Sequence, residues 1–312
     1  MTVPVLKEIL AQNTDWTIVM VSHHVYKELF DHIPRLRFHA LELDRYKDFL
    51  SLWRLSTDLQ RLYSPDAVVD LHDVIRTKVL CFCFRLKGEK VYILHKGRRE
   101  KERLVNIRFF PKTPLKTTTE RYADVFRKIG LFVVLSHRRE PNQGEKEGIG
   151  FAPFAKHKGK ILSLEKSYEL VKILSQEYKI FLFGGKGEEA KVLEGWAGHF
   201  ANTVCLAGKL SLGQELEKIA SLELMISMDS ANMHLASLVG TRCISVWGQT
   251  HHYSGFLGYG QSTEDVVQVE ELSCRPCSVF GGRDCYRGDW ACLYEFTIQR
   301  ILDRIKSPSS ER

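Results

Sequence analysis

"LMISMDSANMHLASLVGTRCISVWGQT", residues 224–250, is the stretch on which the fold is read. An apolar run ends abruptly at Asp229-Ser230, a short segment of small and apolar residues stops at Gly240, and a second apolar run ends at Gly248. Strand, turn, short helix and strand make half of a nucleotide-binding α/β unit, whose first strand ends at a ligand crevice. Asp229 or Ser230 suits the N-cap, so the helix starts there with its first N–H groups unbonded and directed at the crevice. Such an end carries roughly half a positive charge and suits a phosphate. Ala231 and Ala236 permit close backbone approach, and His234 returns to the face of Ser230 four residues on. These residues alone leave two readings open: a capped structural helix with a satisfied histidine, or an anion cradle.

Working outward, short β-branched apolar runs alternate with helical periods. Strands are expected at 16–21, 67–71, 90–94, 148–154, 179–184, 203–208, 221–227 and 243–248, and helices at 164–178 and 211–221. That alternation predicts a parallel, doubly wound α/β sheet. The polar stretch "SHRREPNQGEKEG" (136–148) reads as a linker between two Rossmann-like halves, 1–140 and 148–292. Residues 293–312 form a terminal helix and tail, with Phe296, Ile301, Leu302 and Ile305 roughly on one helical face.

A chain of 312 residues suits two domains, and 44% hydrophobic with 27% charged residues is ordinary for a soluble globular protein. The longest apolar runs, such as "VLCFCF", are far below the ~20 residues of a spanning helix. "MTVPVLKEIL" has no signal-peptide pattern. A cytoplasmic protein with its eight cysteines reduced is therefore expected. The formal charge of +7 is concentrated at 96–121, where nine Lys/Arg face Glu100, Glu102 and Glu120. That segment is a solvated loop or a surface for an anion such as phosphorylated lipid, acidic sugar or nucleic acid. Nucleic acid is the poorest match, since the run lacks interleaved aromatics and no zinc-finger spacing accompanies it.

The other strand ends carry matching chemistry. "APFAKHKGK" (152–160) offers Lys156, Lys158 and Lys160 before a helix. "FGGKGEE" (183–189) ends with Glu188 and Glu189, and "AGKLSLGQE" (207–215) is a third strand-to-helix turn. Glycines, lysines and acids at four strand ends suit a nucleoside-diphosphate pocket.

"MDSANMHLASLVGTRCISVWGQT" resembles glycosyltransferase family nine, the ADP-heptose:lipopolysaccharide heptosyltransferases, in its Asp-Ser-x-x-x-His turn and in a following strand that ends aromatic-Gly-x-Thr. The likeness continues through "APFAKHKGK", "FGGKGEE" and "DAVVDLHDVIRTK" and covers nearly the whole chain. It implies a bacterial enzyme of GT-B fold, with two Rossmann-like domains facing a central cleft, the acceptor held by the first and the nucleotide sugar mainly by the second. On that resemblance Asp229 faces the donor sugar. The amides of Ser230, Ala231 and Asn232, with His234, hold the diphosphate, and Lys160 neutralises it as it leaves; Lys156, on the same turn, is a further donor-binding candidate. Glu188 or Glu189 meets the ribose, and Leu210 the base. The implied chemistry is inverting transfer of a heptose or related sugar from an ADP-sugar to a phosphorylated lipid A-core or other glycan, with no cofactor required, at or near the inner membrane.

Family members begin with a strand and a Gly-Asp turn, whose aspartate acts as general base, before a helix like "MTVPVLKEIL". This chain starts inside that helix, so it is expected to lack its first strand and to be impaired in transfer, a loss of ~10²–10⁴-fold for the base. The alternative function is then a remnant that binds nucleotide sugar without turning it over; a restored strand and Gly-Asp turn is expected to restore transfer. Acceptor-side candidates are Asp70, His72 and Asp73 at the tip of "AVVDL", Arg76 and Lys78 after them, and Arg121; turn, cap and solvent-exposed roles remain open for each. Cys274, Cys277, Cys285 and Cys292 are spaced C-x2-C-x7-C-x6-C, open to structural zinc, free thiols or a disulfide. Cys81, Cys83, Cys205 and Cys243 read as core.

Overall fold

The computed structural model describes residues 1–106, 108, 111–140 and 144–307, so part of the expected linker lies outside the described residues. The chain divides into two compact units, Met1–Gly97 with Thr118–Ser136, and Arg98–Thr117 with His137–Arg312. The contact grouping thus breaks at 136/137, and residues 98–117 pack with the second unit. There Leu115 N–H donates to the Tyr253 carbonyl at 2.8 Å, and the Lys101 ammonium lies 4.3 Å from the centre of the Phe256 ring.

The first unit runs α1 (Thr2–Gln12), β1 (Ile18–His23), β2 (Leu36–Leu41), α2 (Phe49–Tyr63), β3 (Val68–Asp70), α3 (Ile75–Leu86) and β4 (Val91–Ile93). The segment with α4 (Arg98–Leu104) belongs to the second unit, and α5 (Thr118–Arg127) returns to the first. The strands form two separate parallel pairs, β1 with β2 and β3 with β4. Both pairs face one apolar cluster on α2 and α3, where Leu52, Leu55, Leu59 and Phe84 meet Val21, Leu41, Val68 and Val91. Burying such a side chain is worth about 1.5–3 kcal/mol. Asp48 and Ser51 close a reciprocal cap at the start of α2, fixing where it begins.

The segment 131–136 lies extended with Leu131, Val133 and Leu135 buried, while Phe132 and Val134 are 67% and 58% exposed. Its backbone is bonded by side chains of α1 and its C-cap. Asn13 and Gln12 each exchange a pair of hydrogen bonds with Phe132 and Val134 at 2.8–3.1 Å, and Glu8 accepts from Ser136 N–H at 2.7 Å.

The second unit holds β5 (Ile149–Ala152), α6 (Leu164–Leu174), β6 (Ile180–Leu182), α7 (Glu188–His199), β7 (Thr203–Cys205), α8 (Leu212–Ala220), β8 (Leu224–Met228), α9 (Ala231–Leu238), β9 (Cys243–Trp247), β10 (Val266–Gln268), α10 (Ala291–Tyr294) and α11 (Gln299–Lys306). Its six strands are all parallel in the order β10-β9-β8-β5-β6-β7. Every residue of β5, β6, β8 and β9 is buried, which is why these strands read as unbroken apolar runs: helices cover both faces. The order reverses between β5 and β8, the switch point at which such sheets open a crevice.

Two strands escaped the sequence reading, β2 and β10. The terminal helix expected over 293–307 is broken into α10 and α11. Lys166 Nζ takes the Leu293 and Tyr294 carbonyls that would have continued α10, while Phe296 and Ile301 fill the core under β5–β9.

Candidate functional site

Two segments leave the sheet at the switch point. β5 ends in Ala152, paired in register with Ser227 of β8, and its chain continues to a 3₁₀ turn at Lys158–Lys160. β8 is followed by Asp229, whose N–H still donates to the Val246 carbonyl at 3.0 Å, and the chain enters α9. The two meet in an ion pair. Lys160 Nζ lies 2.8 Å from Asp229 Oδ2 and donates to the Asp229 carbonyl at 3.2 Å; the side chains are 15% and 5% exposed. Thr250, fully buried just past β9, donates its hydroxyl to the same Oδ2 at 2.8 Å. An ion pair so shielded from water is held much more firmly than a surface pair, and the ammonium remains beside whatever anion arrives.

Ser230 is the N-cap of α9, in extended backbone, yet no side chain caps the helix. Its hydroxyl instead meets Ser227 Oγ at 3.1 Å. The amides of the first turn, from Ala231 and Asn232 onward, are therefore left for an external acceptor. Asn232 donates to Glu215 of α8 at 3.2 Å, and burial raises the pKa of that carboxyl. His234, in the second turn, has a buried Nδ1 with no partner among the described residues. Desolvation, the largest cause, pushes its pKa down to about 3. The ring is thus neutral at pH 7, able to donate one hydrogen bond and carrying no charge of its own.

The remaining expected donor residues are placed unequally. Lys156 is exposed on the turn after β5. Glu188 points outward and pairs with Lys191 at 2.7 Å, whereas Glu189 turns back and accepts from Gly185 N–H at 2.6 Å, closing the loop after β6. Of the two, Glu189 sits at the strand end. Leu210 is half-buried just before Ser211, which caps α8 together with Gln214.

In the first unit, Asp70 is buried and its Oδ1 accepts from His72 and Asp73 N–H at 2.8 and 2.9 Å, a turn-closing role. His72 is exposed. Asp73 accepts from Lys96 through its carbonyl and lies 3.4 Å from Lys78. Arg76 is half-buried. Arg121 is buried with its guanidinium packed on Gly97.

The four clustered cysteines are free thiols, three half-buried and Cys292 buried. Among the described residues no group of three or more His, Cys, Asp or Glu is placed to hold a metal ion. The same loop contains Arg275, which is buried and donates to the carbonyls of Trp247, Gly248, Thr250 and Val269 and to Gln268 Oε1. Thr250, Gln249, Glu215 and Arg275 were missed as site residues. Thr250 closes the motif that was read, but only the fold brings its hydroxyl to Asp229. Arg275 carries no sequence signal.

Comparison with known proteins gives this geometry a family. A family model, glycosyltransferase family 9 (heptosyltransferase), matches residues 59–281. No curated protein matches the chain. Among solved structures, E. coli ADP-heptose lps heptosyltransferase II is 16% identical with a TM-score of 0.66, covering 98% of this chain and 94% of that one. A family 9 glycosyltransferase from Veillonella parvula is 15% identical with a TM-score of 0.69, covering 98% and 92%. E. coli heptosyltransferase WaaC with ADP-2-deoxy-2-fluoro heptose is 16% identical with a TM-score of 0.66, covering 98% and 94%. These likenesses carry the fold, mixed α/β of the GT-B type, and the family match carries the enzyme class. The chain belongs to glycosyltransferase family 9, the heptosyltransferases.

Proposed function

We propose that the chain transfers a heptose, or a related sugar, from an ADP-sugar to a lipopolysaccharide core or similar glycan, with inversion at the anomeric carbon. The observation that carries this reading is the Lys160–Asp229 pair beside the uncapped start of α9. In the step, an acceptor hydroxyl attacks the anomeric carbon as its bond to the β-phosphate oxygen breaks. The acceptor proton passes to a base, and ADP leaves with the bonding electrons. Lys160, the amides of Ser230, Ala231 and Asn232, and neutral His234 meet the charge growing on the diphosphate. Asp229, held by Thr250, faces the sugar; Glu189 is the better placed of the two acids for the ribose, with Leu210 against the base and Lys156 at the rim. The reading requires no metal or redox cofactor.

E. coli heptosyltransferase WaaC, solved with ADP-2-deoxy-2-fluoro heptose, supports the donor class. The basic segment 96–121 suits a phosphorylated acceptor or an anionic membrane surface, in keeping with a bacterial enzyme working from the cytoplasm at the inner membrane. Among the described residues no helix is long and apolar enough to cross a membrane. Titration with ADP, then release of ADP from ADP-heptose in the presence of lipopolysaccharide core, tests the proposal. Lys160→Ala is expected to weaken ADP binding about 10-fold or more, as loss of a charge-assisted hydrogen bond does; unchanged binding would sink the donor-site assignment.

A second reading, nucleotide-sugar binding without transfer, is favoured by the first unit, where four strands form two separate pairs instead of one continuous sheet. ADP binding without any release of ADP from the sugar nucleotide, across acceptors, would select it.

A further inference from the structure

Lys160 is positioned by the loop that carries the cysteines. The turn holding it is bonded on both sides. Gln249 N–H donates to the Gly159 carbonyl at 2.8 Å, and Gly159 N–H donates to the Gly281 carbonyl at 3.3 Å. Gln249 is itself gripped by the loop: Cys277 and Ser278 N–H donate to its carbonyl at 3.2 and 3.4 Å, and its Nε2 donates to the Arg283 carbonyl at 2.8 Å. Ser278 Oγ accepts from Gly281 N–H at 2.9 Å, Asp284 holds Lys158 at 2.6 Å, and Arg275 bonds the backbone around Gln249. Gly281 is buried, and a Cβ there would come within 2.6 Å of Lys160 Cγ and 3.1 Å of its Cε. The Lys160 side chain thus runs directly over a bare glycine on its way to Asp229.

We propose that residues 275–284 form a positioning clamp for Lys160, in which Gly281 confines the lysine stem and Gln249 ties the clamp to the 158–160 turn. The inference rests on the donor-site reading above and adds to it a set of residues that act through Lys160. A long, flexible lysine side chain ordinarily loses much rotamer freedom on binding an anion. One already held on Asp229, with its stem packed, meets the diphosphate with less left to lose.

The loop supplies its own control. Gly281 and Gly288 both have left-handed backbone, with φ +80° and +78°, but a Cβ at Gly288 meets nothing within 4 Å. Gly281→Ala and Gly288→Ala therefore both place an L-residue at nearly the same positive φ, and only the first intrudes on Lys160. Full-length chains are titrated with ADP, and thermal midpoints are recorded. Both variants are expected to melt somewhat lower. Gly281→Ala is expected to weaken ADP binding by about five-fold or more, a part of what removing a charged hydrogen bond costs, with Gly288→Ala within about two-fold of the parent. In a Lys160→Ala background the Gly281→Ala effect on ADP should vanish, because nothing remains to be positioned. Equal effects of the two glycine variants, or a Gly281→Ala effect that persists without Lys160, would overturn the clamp while leaving the donor site standing. ADP binding indifferent to Lys160→Ala would instead bring down the donor-site reading and the clamp with it.

Discussion

Asp229 Oδ2 is shared by Lys160 and Thr250, so the site depends on a single oxygen with two donors. Thr250→Val removes one of them at nearly constant volume. It should lower transfer by about 10-fold, the worth of one buried hydrogen bond to a charged group, with ADP affinity changed less; steady-state rates beside calorimetry check this. The histidines make a second expectation. Burial pushes His234 and His251 down to about 3 and His252 to about 4. The folded chain therefore resists protons that the unfolded chain accepts near the ordinary value of ~6.5. Their contribution to stability is full above about pH 7 and is lost as pH falls from 6.5 toward 3. The His251 ring meets Gln268 Nε2 at 3.1 Å and Tyr253 N–H at 3.1 Å, with Glu270 on the same glutamine and Arg275 on its other end. His251→Gln should flatten the fall of the urea midpoint between pH 6.5 and 4.5. Asp229, Ser230 and His234 were legible in sequence because one turn of chain carries them all. Gln249 and Arg275 were not, because the first is an ordinary polar residue after a strand. The second acts from 25 residues beyond Thr250, through carbonyls that any sequence would supply.

At the scale of elements, β5 and β8 were readable as continuous apolar runs because both faces are covered. β2 is a strand of the other kind: "LRFHAL" alternates apolar with polar residues in a mostly half-buried strand, a period-two signal that a search for continuous β-branched runs passes over. β10 is three residues long, too short for a period to show. The broken terminal helix has a similar cause: its apolar face continues across 295–298, but the bonding is diverted to Lys166. Ile301 of α11 is fully buried against the sheet core. Ile301→Ala should cost about 2–5 kcal/mol, read from denaturant unfolding of the second unit. Asp48→Ala, by contrast, removes only a cap and should cost the first unit about 1 kcal/mol.

Over the whole molecule the two units differ in how their sheets are protected. β5, β6, β8 and β9 are buried throughout, while β1 and β4 contain no buried residue. Hydrogen exchange should therefore be slowest in the central strands of the second unit and faster by at least about 10-fold in β1–β4, since strands with fewer buried contacts open at lower cost. ADP should slow exchange in the second unit around β5, β8 and α9. The first unit also contains the extended segment 131–136, tied to Glu8, Gln12 and Asn13. Between two strands, hydrogen bonds run from main chain to main chain, and almost any residue can be exchanged without breaking them. Here the partners are three particular side chains, so the pairing is inscribed in the genetic text itself. A single codon change at Gln12 or Asn13 would delete a whole pair of these bonds, whereas in an ordinary sheet only proline takes even one from the ladder.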